Sequence, residues 1–363
     1  MGLLGYNDLK QFAVPTGWDA GELSKYALVD GTTAEEFYND LTAALQGEAE
    51  AMMNDPFYGL LFTTTEELGL EYAQGNTTVG MEERTEYARS DARRDTTIGH
   101  MLPLNSYGKG LGFTYDFLRK ARRRQLEVNI SGRVYDVRQT FQKNLLTRFF
   151  SSTDNQLGSS GYDVAFVKGG GSVSYIPPAY GGQTFAATHN HFDRKAATGE
   201  FDDALDAGVG HLWEHGIFGP YIGIVPLGQI STYTALTGFY KPQRQELVYP
   251  NTAALAQIQD ETFFGIYETA HGLVYLHATP RLPSNYLGVT KSYGFNNDMN
   301  PLAVRISPDL QFNIVAMRGE GFRQFPMENM EIIHEHGVGV NDRLNGYACY
   351  FNASGNYSNP TIS

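Results

Sequence analysis

A single cysteine, Cys349, stands among 363 residues, so no intrachain disulfide can form and a reducing site of synthesis is expected. The sequence has no apolar run of the roughly 18 residues that a membrane-spanning helix needs, and no charged-then-apolar opening of the signal-peptide kind. Neither a membrane span nor secretion by a recognisable signal is expected. Positive charge is also short. The 27 Lys and Arg residues face 40 Asp and Glu residues, a formal net charge of -13, which excludes wholesale coating of nucleic acid. A more local shortage matters most. Residues 63–112 contain 15 apolar residues in 50 positions, against 42% for the whole chain, too few to build a core of their own. The same region is poor in lysine: none occurs between Lys25 and Lys109.

That coreless stretch is nonetheless patterned. Leu68, Leu70 and Tyr72 alternate with polar neighbours, Gln74, Gly75 and Asn76 offer a turn, and Val79 and Met81 alternate again. This predicts a two-stranded ribbon. An isolated ribbon is marginal in water, so residues 57–111 are expected to pack mostly on another copy of the chain. Before it, residues 1 to about 30 are punctuated by glycine and read as an extended arm. Thr32 or Thr33 then caps a helix from Ala34, with Glu35 and Glu36 in its first turn and Phe37, Leu41, Ala44, Leu45 and Ala49 on one face, ending before Pro56. From 116 to about 150, Leu126, Ile130, Val134, Val137, Phe141, Leu145 and Phe149 recur at spacings of three and four, predicting a helix about 45 Å long. Gly132 within it costs roughly 1 kcal/mol relative to alanine. Nine of the 27 basic residues fall between Arg119 and Arg148, five of them in residues 119–124. They serve either as a solvated face pairing with nearby acids or as a contact for phosphate or an acidic partner. Residues 151–195 are rich in Gly and Ser, with strands expected at 164–168 and 172–178. From 200 to 325, a helix at 203–215, a buried strand at 220–225, a helix at 230–236 and strands within 262–277 and 287–292 make a mixed α/β domain.

Candidate chemistry is thin. Gly108 and Lys109 are followed by Gly110, so the hydroxyl of a phosphate-binding loop is missing. Gly110 with Gly112, and Gly169 to Gly171, lack the strand-to-helix setting of a dinucleotide site and read as turns. His189 and His191 at i and i+2 would share one face of a strand as half a metal site; His334 and His336, with Glu331, form a second cluster. Neither has the His-Glu-x-x-His spacing, and no cysteine pair is available to close a tetrahedron, so hydrogen-bonded structural histidines are expected at both. No Gly-x-Ser-x-Gly elbow occurs, and Cys349 sits in the apolar run YACYF at 347–351, which suits an inert buried thiol. The expectation is no catalytic, cofactor-binding or metal residue, no cofactor, and no enzyme.

Two stretches resemble a known family. They are MEIIHEH at 330–336 with GVGVNDRLNGYACYF at 337–351, and VSYIPPAYGGQTFAATHNHF at 173–192 with LWEHG at 212–216. Together they resemble the major capsid proteins of tailed bacteriophages, with the Hong-Kong-97-type shell fold, and the order of segments matches too. The resemblance implies an α+β chain divided into an N-terminal arm (1–31), an N-terminal helix of a peripheral domain (32–56), an extended loop (57–112), the peripheral domain with a long spine helix (113–200), an axial domain (201–325), C-terminal strands returning to the peripheral region (326–352) and a tail (353–363). It implies a structural role: pentamers and hexamers closing into an icosahedral shell around double-stranded DNA, bound without sequence specificity. Partners would be other copies, a portal, cement or decoration proteins, and a separate scaffold protein, since only a short arm precedes the first helix. The location would be the virion, after synthesis in the host cytoplasm and with no membrane partner. Some relatives lock the shell through a lysine in the extended loop; this ribbon has none to offer. The basic run at 119–124 would then face the shell interior or pair with ribbon acids such as Glu82, Glu83 and Glu86. Other readings are an encapsulin-like nanocompartment shell, an oligomeric metal-dependent enzyme built on 200–325 around His189 and His191, and a cell-surface or carbohydrate-binding β protein.

Overall fold

Seven segments rich in aromatic and β-branched residues pair into one mixed sheet. Its spatial order is Phe192–Lys195, Tyr347–Phe351, Tyr286–Thr290, Tyr221–Pro226, Gly272–Thr279, Phe263–Thr269, Phe239–Tyr240. The computed structural model describes residues 28, 31, 34–75, 96–114, 117, 120–158, 161–196, 199–241, 262–317, 323–324 and 327–362. They fall into two units. One takes its residues from Met1–Asn54, Leu104–Gln142 and Ile306–Gly337; the other, which contains the whole seven-stranded sheet, from Asp55–Pro103, Lys143–Arg305 and Val338–Ser363.

In this second unit, Tyr221–Pro226 is buried at every residue. It lies between a parallel neighbour, Gly272–Thr279, and an antiparallel one, Tyr286–Thr290. A strand covered on both faces reads as a continuous apolar run, as YIGIVP does. Helix Phe201–Glu214, hereafter α3, opens with Asp202 and Asp203, where its dipole favours acids. It lays Ala204, Leu205, Val209 and Leu212 against Leu276, Val289, Tyr347 and Phe351 in one buried cluster. The approach is close enough that a Cβ on Gly208 would stand 2.7 Å from the Tyr347 ring. The C-terminal strand Tyr347–Phe351 joins this sheet, antiparallel to Tyr286–Thr290 and parallel to Phe192–Lys195.

The long helix spans Arg123–Phe150 (α2) and the N-terminal helix Ala34–Met53 (α1). Within the first unit, Leu41, Leu45, Ala49 and Met52 of α1 and Leu126, Ile130 and Phe141 of α2 are buried. Arg123 reaches Asp40 at 2.8 Å, and Arg138 pairs with Glu48. Also in this unit, the part of strand Met327–Val340 up to His336 lies between two antiparallel neighbours, Asn105–Thr114 and Ile314–Met317. In the second unit, the last turns of α2 place Leu145, Leu146, Phe149 and Phe150 at no exposure at all.

The structure departs from the sequence reading in three places. Strand Gly69–Gln74 pairs antiparallel with Thr96–Met101, a partner the sequence reading did not name; the second strand expected at Val79 and Met81 lies outside the described residues. The burial of Phe57, Leu60, Leu61 and Phe62 corrects the start of the segment expected to pack on another copy, 57–111: these side chains are covered by their own chain, Phe57 stacking on His277 at 5.0 Å. Finally, 164–168 and 172–178 form no strand. Val164, Ala165, Phe166 and Val167 are buried because neighbouring loops satisfy their backbone: Val167 N–H donates to Arg343 O at 3.0 Å, and Val167 O accepts from His191 N–H at 2.8 Å. In the second segment Pro177 and Pro178 have no N–H to give a ladder.

Gly288 marks the tightest point beneath the helix end, since a Cβ there would lie 2.6 Å from Phe149 and 2.9 Å from Phe150. Both rings are wholly buried and packed edge-on at 5.1 Å, so neither can retreat cheaply. Gly288→Ala should therefore destabilise the chain by about 1–3 kcal/mol through overpacking. Urea unfolding followed by tryptophan fluorescence measures it; an unchanged midpoint would show that the rings can move aside.

Candidate functional site

Five side chains from two segments of the second unit meet in one cluster. His189 and His191 sit in the turn before strand Phe192–Lys195, so the expected strand face is not what presents them. The turn is fixed by its backbone: His189 N–H donates to Ala186 O at 3.0 Å, and His191 O accepts from Ala348 N–H at 3.0 Å. Gly169 lets the turn come close, since a Cβ there would lie 2.6–2.7 Å from the backbone of Thr188. The other three, His211, Glu214 and His215, come from the end of α3. Spacings of three and four put them on one helix face.

The Nε2 atoms of His189, His191 and His215 form a triangle with sides of 3.1, 3.0 and 3.1 Å. Glu214 Oε1 lies 3.2 Å from His189 Nε2, 4.0 Å from His215 Nε2 and 2.8 Å from His211 Nδ1. His191 is fully buried, and its Nδ1–H donates to Gly346 O at 2.9 Å. Burial first, then the neighbouring histidines, push its pKa well below the ordinary value. Burial and His189 likewise bring His215 down to about 4. His211 behaves oppositely. Burial disfavours its charge, but hydrogen bonds to Asp193 and Glu214 outweigh it and lift the pKa to about 9. Burial works against the Glu214 carboxylate too, yet His189 and His211 hold its pKa down to about 2. Asp193 accepts from Tyr347 OH at 3.0 Å and lies 3.8 Å from His211 Nε2. Among the described residues, ligand atoms of His189, His191, His211 and Glu214 all lie within 4.8 Å of one another, and His215 joins them through its Nε2 contacts to His189 and His191.

Sequence reading found His189 and His191 but not their partners. The missed signal is His211-Leu-Trp-Glu-His215, a His-x-x-Glu-His pattern with known metal-binding precedent, overlooked beside the reversed spacing that was sought. The second cluster is different in kind. His334 and His336 lie on the buried face of their strand, their rings tilted by 36° with centroids 4.6 Å apart, against Tyr107, Phe141 and Phe312 of the same unit. Glu331, an odd number of residues away, faces the opposite side. Lys109 lies within strand Asn105–Thr114, not in a phosphate loop, and reaches Asp136 at 3.7 Å. Cys349 is buried in strand Tyr347–Phe351, and burial raises its thiol to about 12, the inert state expected. Within the basic run, Arg123 finds Asp40 and, at 2.7 Å, Glu127, while Arg122 and Arg124 are exposed. Arg119 and the ribbon acids Glu82, Glu83 and Glu86 lie outside the described residues. Among the described residues no helix is long and apolar enough to cross a membrane.

No protein-family model matches the sequence, and no curated protein matches it. Solved structures do match. A chain of Mycobacterium phage Patience aligns with a TM-score of 0.64 at 18% identity, over 92% of this chain and 92% of that one. Weaker likenesses, which add nothing to the argument, include the mature capsid of bacteriophage PhiM1 (TM-score 0.49, 11% identity, 81% of this chain and 86% of that) and a virus-like particle from Pyrococcus furiosus (0.38, 10%, 85% and 98%). The fold is that of a tailed-phage major capsid protein.

Two histidines away from the five-residue cluster make stability depend on pH. Burial brings His100 down to about 4 despite the hydrogen bond its Nε2 donates to Val340 O at 2.7 Å, with Arg343 adding repulsion. Burial alone does the same to His334, whose ring nitrogens have no hydrogen-bond partner. Both folded values lie below the ordinary unfolded value of about 6.5. Above that pH neither ring costs stability. As pH falls through it, the unfolded chain takes up protons that the folded chain refuses. Stability should then drop by up to ~1.4 kcal/mol per pH unit for each ring, until about pH 4. Urea titrations between about pH 7.5 and pH 5 measure the slope, and His334→Leu should shallow it. A slope indifferent to His334→Leu would mean that this ring titrates normally.

Proposed function

We propose that the chain is a structural subunit of an icosahedral shell, the major capsid protein of a tailed double-stranded DNA phage, and that it catalyses nothing. The observation that carries this reading is the likeness to the Mycobacterium phage Patience chain, which runs over 92% of both chains and so covers the whole architecture. On this reading α2 is the spine helix and residues 201–325, which supply five strands of the seven-stranded sheet, form the axial domain. Residues 1–31 form the arm, and 32–56 with 113–200 the peripheral domain. Residues 57–112 supply the extended loop, 326–352 the returning C-terminal strands and 353–363 the tail.

The ribbon supports the same role. Strand Gly69–Gln74 alternates exposed and half-buried residues, and Leu68 at its start is 50% exposed. Its base is tied to its own unit through Tyr72, which meets Tyr175 edge-on at 5.0 Å and accepts from Arg343 at 3.1 Å. The rest offers a surface that a neighbouring copy covers in pentamers and hexamers. A scaffold protein, a portal and cement proteins would complete the particle. DNA would be held without sequence specificity, since a subunit of net charge -13 has only local positive fields to offer.

Negative-stain microscopy of the purified full-length chain tests the role. Closed shells of uniform diameter are expected, with double-stranded DNA inside particles from the native source. Single chains at every concentration would overturn the shell reading, and native shells filled with protein cargo instead of DNA would overturn the phage assignment. Leu68→Glu tests the ribbon. A substitution at so exposed a site should alter single-chain unfolding by no more than about 0.5 kcal/mol while cutting shell yield. Normal yield would show that the ribbon base meets no neighbour.

A further inference from the structure

We propose that His189, His191, His215 and Glu214 form a closed four-ligand site for a divalent transition metal of the zinc type, which staples the turn at 186–191 to the C-terminal end of α3. The inference is independent of the shell role and concerns only the second unit.

Distances come first. A tetrahedral zinc with bonds of about 2.0–2.1 Å to nitrogen holds its ligand nitrogens about 3.3–3.4 Å apart. The three Nε2 atoms stand 3.0–3.1 Å apart, close to that spacing, so one point just off their plane is within bonding reach of all three. Glu214 Oε1, 3.2 Å from His189 Nε2 and 4.0 Å from His215 Nε2, occupies the fourth corner.

Proton counting comes second. The Gly346 carbonyl can only accept, so neutral His191 carries its proton on Nδ1 and turns a bare Nε2 lone pair inward. His189 and His215 can each bring at most one Nε2 proton. Those two protons would have to serve three nitrogen–nitrogen contacts and the contact to Glu214, so the cluster cannot close as a hydrogen-bond network of neutral rings. A cation at the centre converts every one of these facing lone pairs into a ligand, and the Glu214 carboxylate offsets part of its charge.

The surroundings fit as well. A metal-bound histidine ordinarily passes its other N–H to a carbonyl or carboxylate, as His191 does to Gly346. His211 acts as a positioning residue: its Nδ1–H donates to Glu214 Oε1 at 2.8 Å, and Asp193, held by Tyr347 OH, stands on its far side. Imidazole-rich sets favour zinc, copper, nickel and iron over magnesium or calcium. Four protein ligands leave no open coordination position, which assigns the metal a structural role.

The test uses the full-length chain, stripped with a chelator and dialysed, and the metal alone as probe. Titration with Co2+ should give the intense visible bands of four-coordinate cobalt, saturating at one ion per chain, with Zn2+ displacing it. The unfolding midpoint should rise with free Zn2+, as for any ligand that binds only the folded state, and fall again on chelation. His189→Ala and Glu214→Gln, both at partly exposed positions, should each weaken binding by about 10-fold or more with an unchanged circular dichroism spectrum. A weak six-coordinate cobalt spectrum, no saturation at one ion, or affinity indifferent to both substitutions would overturn the site. Should both variants fail to fold, the stoichiometry and cobalt spectrum of the unsubstituted chain decide alone.

Discussion

The second unit depends on the burial of one guanidinium. Arg343 is 2% exposed, and a charge so placed is tolerable only if its donors are used. Its Nε–H donates to Ala165 O at 3.0 Å, its Nη1 to Tyr72 OH at 3.1 Å, and its plane lies 4.7 Å over the Tyr175 ring. Around it the backbone continues the same connection: Val167 N–H to Arg343 O, His191 N–H to Val167 O, Ala348 N–H to His191 O. Four separated stretches are thereby held together, and of these bonds only Ala348 N–H to His191 O belongs to a strand ladder. Removing the arginine would strand the Ala165 carbonyl and leave a large void among aromatic rings, so its loss would be felt in the ribbon base, the buried 164–167 loop and the histidine turn together.

That relay also explains why the two stretches that resemble capsid proteins meet. Residues 173–192 and 337–351 are far apart in sequence, yet Ala348 from one binds His191 at the edge of the other directly, and Arg343 reaches His191 through Val167. Gly346 completes the fit, since a Cβ there would come within 2.3–2.5 Å of the Phe166 ring. Glycine is required by proximity, whatever its conformational freedom. The histidine cluster is built on this frame, because Gly346 also supplies the carbonyl that orients His191.

Local signals in the sequence were accurate where structure is local. The apolar spacing of Leu41, Leu45 and Ala49 and the stripe ending in Leu145 and Phe149 mark real helices, the second starting at Arg123 where 116 was expected, and the helix expected at 203–215 spans Phe201–Glu214. Long-range pairing was not legible. The turn expected at Gln74, Gly75 and Asn76 runs into residues outside the described ones, and the paired strand Thr96–Met101 lies more than twenty residues beyond Gln74, a separation that no local pattern encodes. Val164 to Val167 looked like a strand because apolar β-formers usually are; here a buried arginine and a neighbouring loop took the hydrogen bonds that a ladder would have made. The histidine site was half legible for the same reason. His189 and His191 are adjacent in sequence, whereas their partners arrive from α3 more than twenty residues later.

The charge of the chain then takes on a definite shape. Net charge of -13 says little about where positive groups can act, and the basic run of α2 looked like the place where acidity would be locally reversed. Arg123, however, sits at 2.8 Å from Asp40 and 2.7 Å from Glu127, and Arg133 and Arg138 have carboxylates of their own in the same unit. These are exposed or half-exposed pairs worth only a few tenths of a kcal/mol each, so they do little for stability. Their consequence is electrostatic: Arg123 of the run is neutralised within the chain, as are Arg133 and Arg138 further along α2, while Arg122 and Arg124 are exposed beside the exposed Val128. An apolar side chain flanked by guanidiniums suits a protein surface carrying both acids and apolar groups better than a bare phosphate backbone, whose attraction screens out within about 8–10 Å. Under the proposed shell role, a neighbouring subunit would fit that surface better than packaged DNA would.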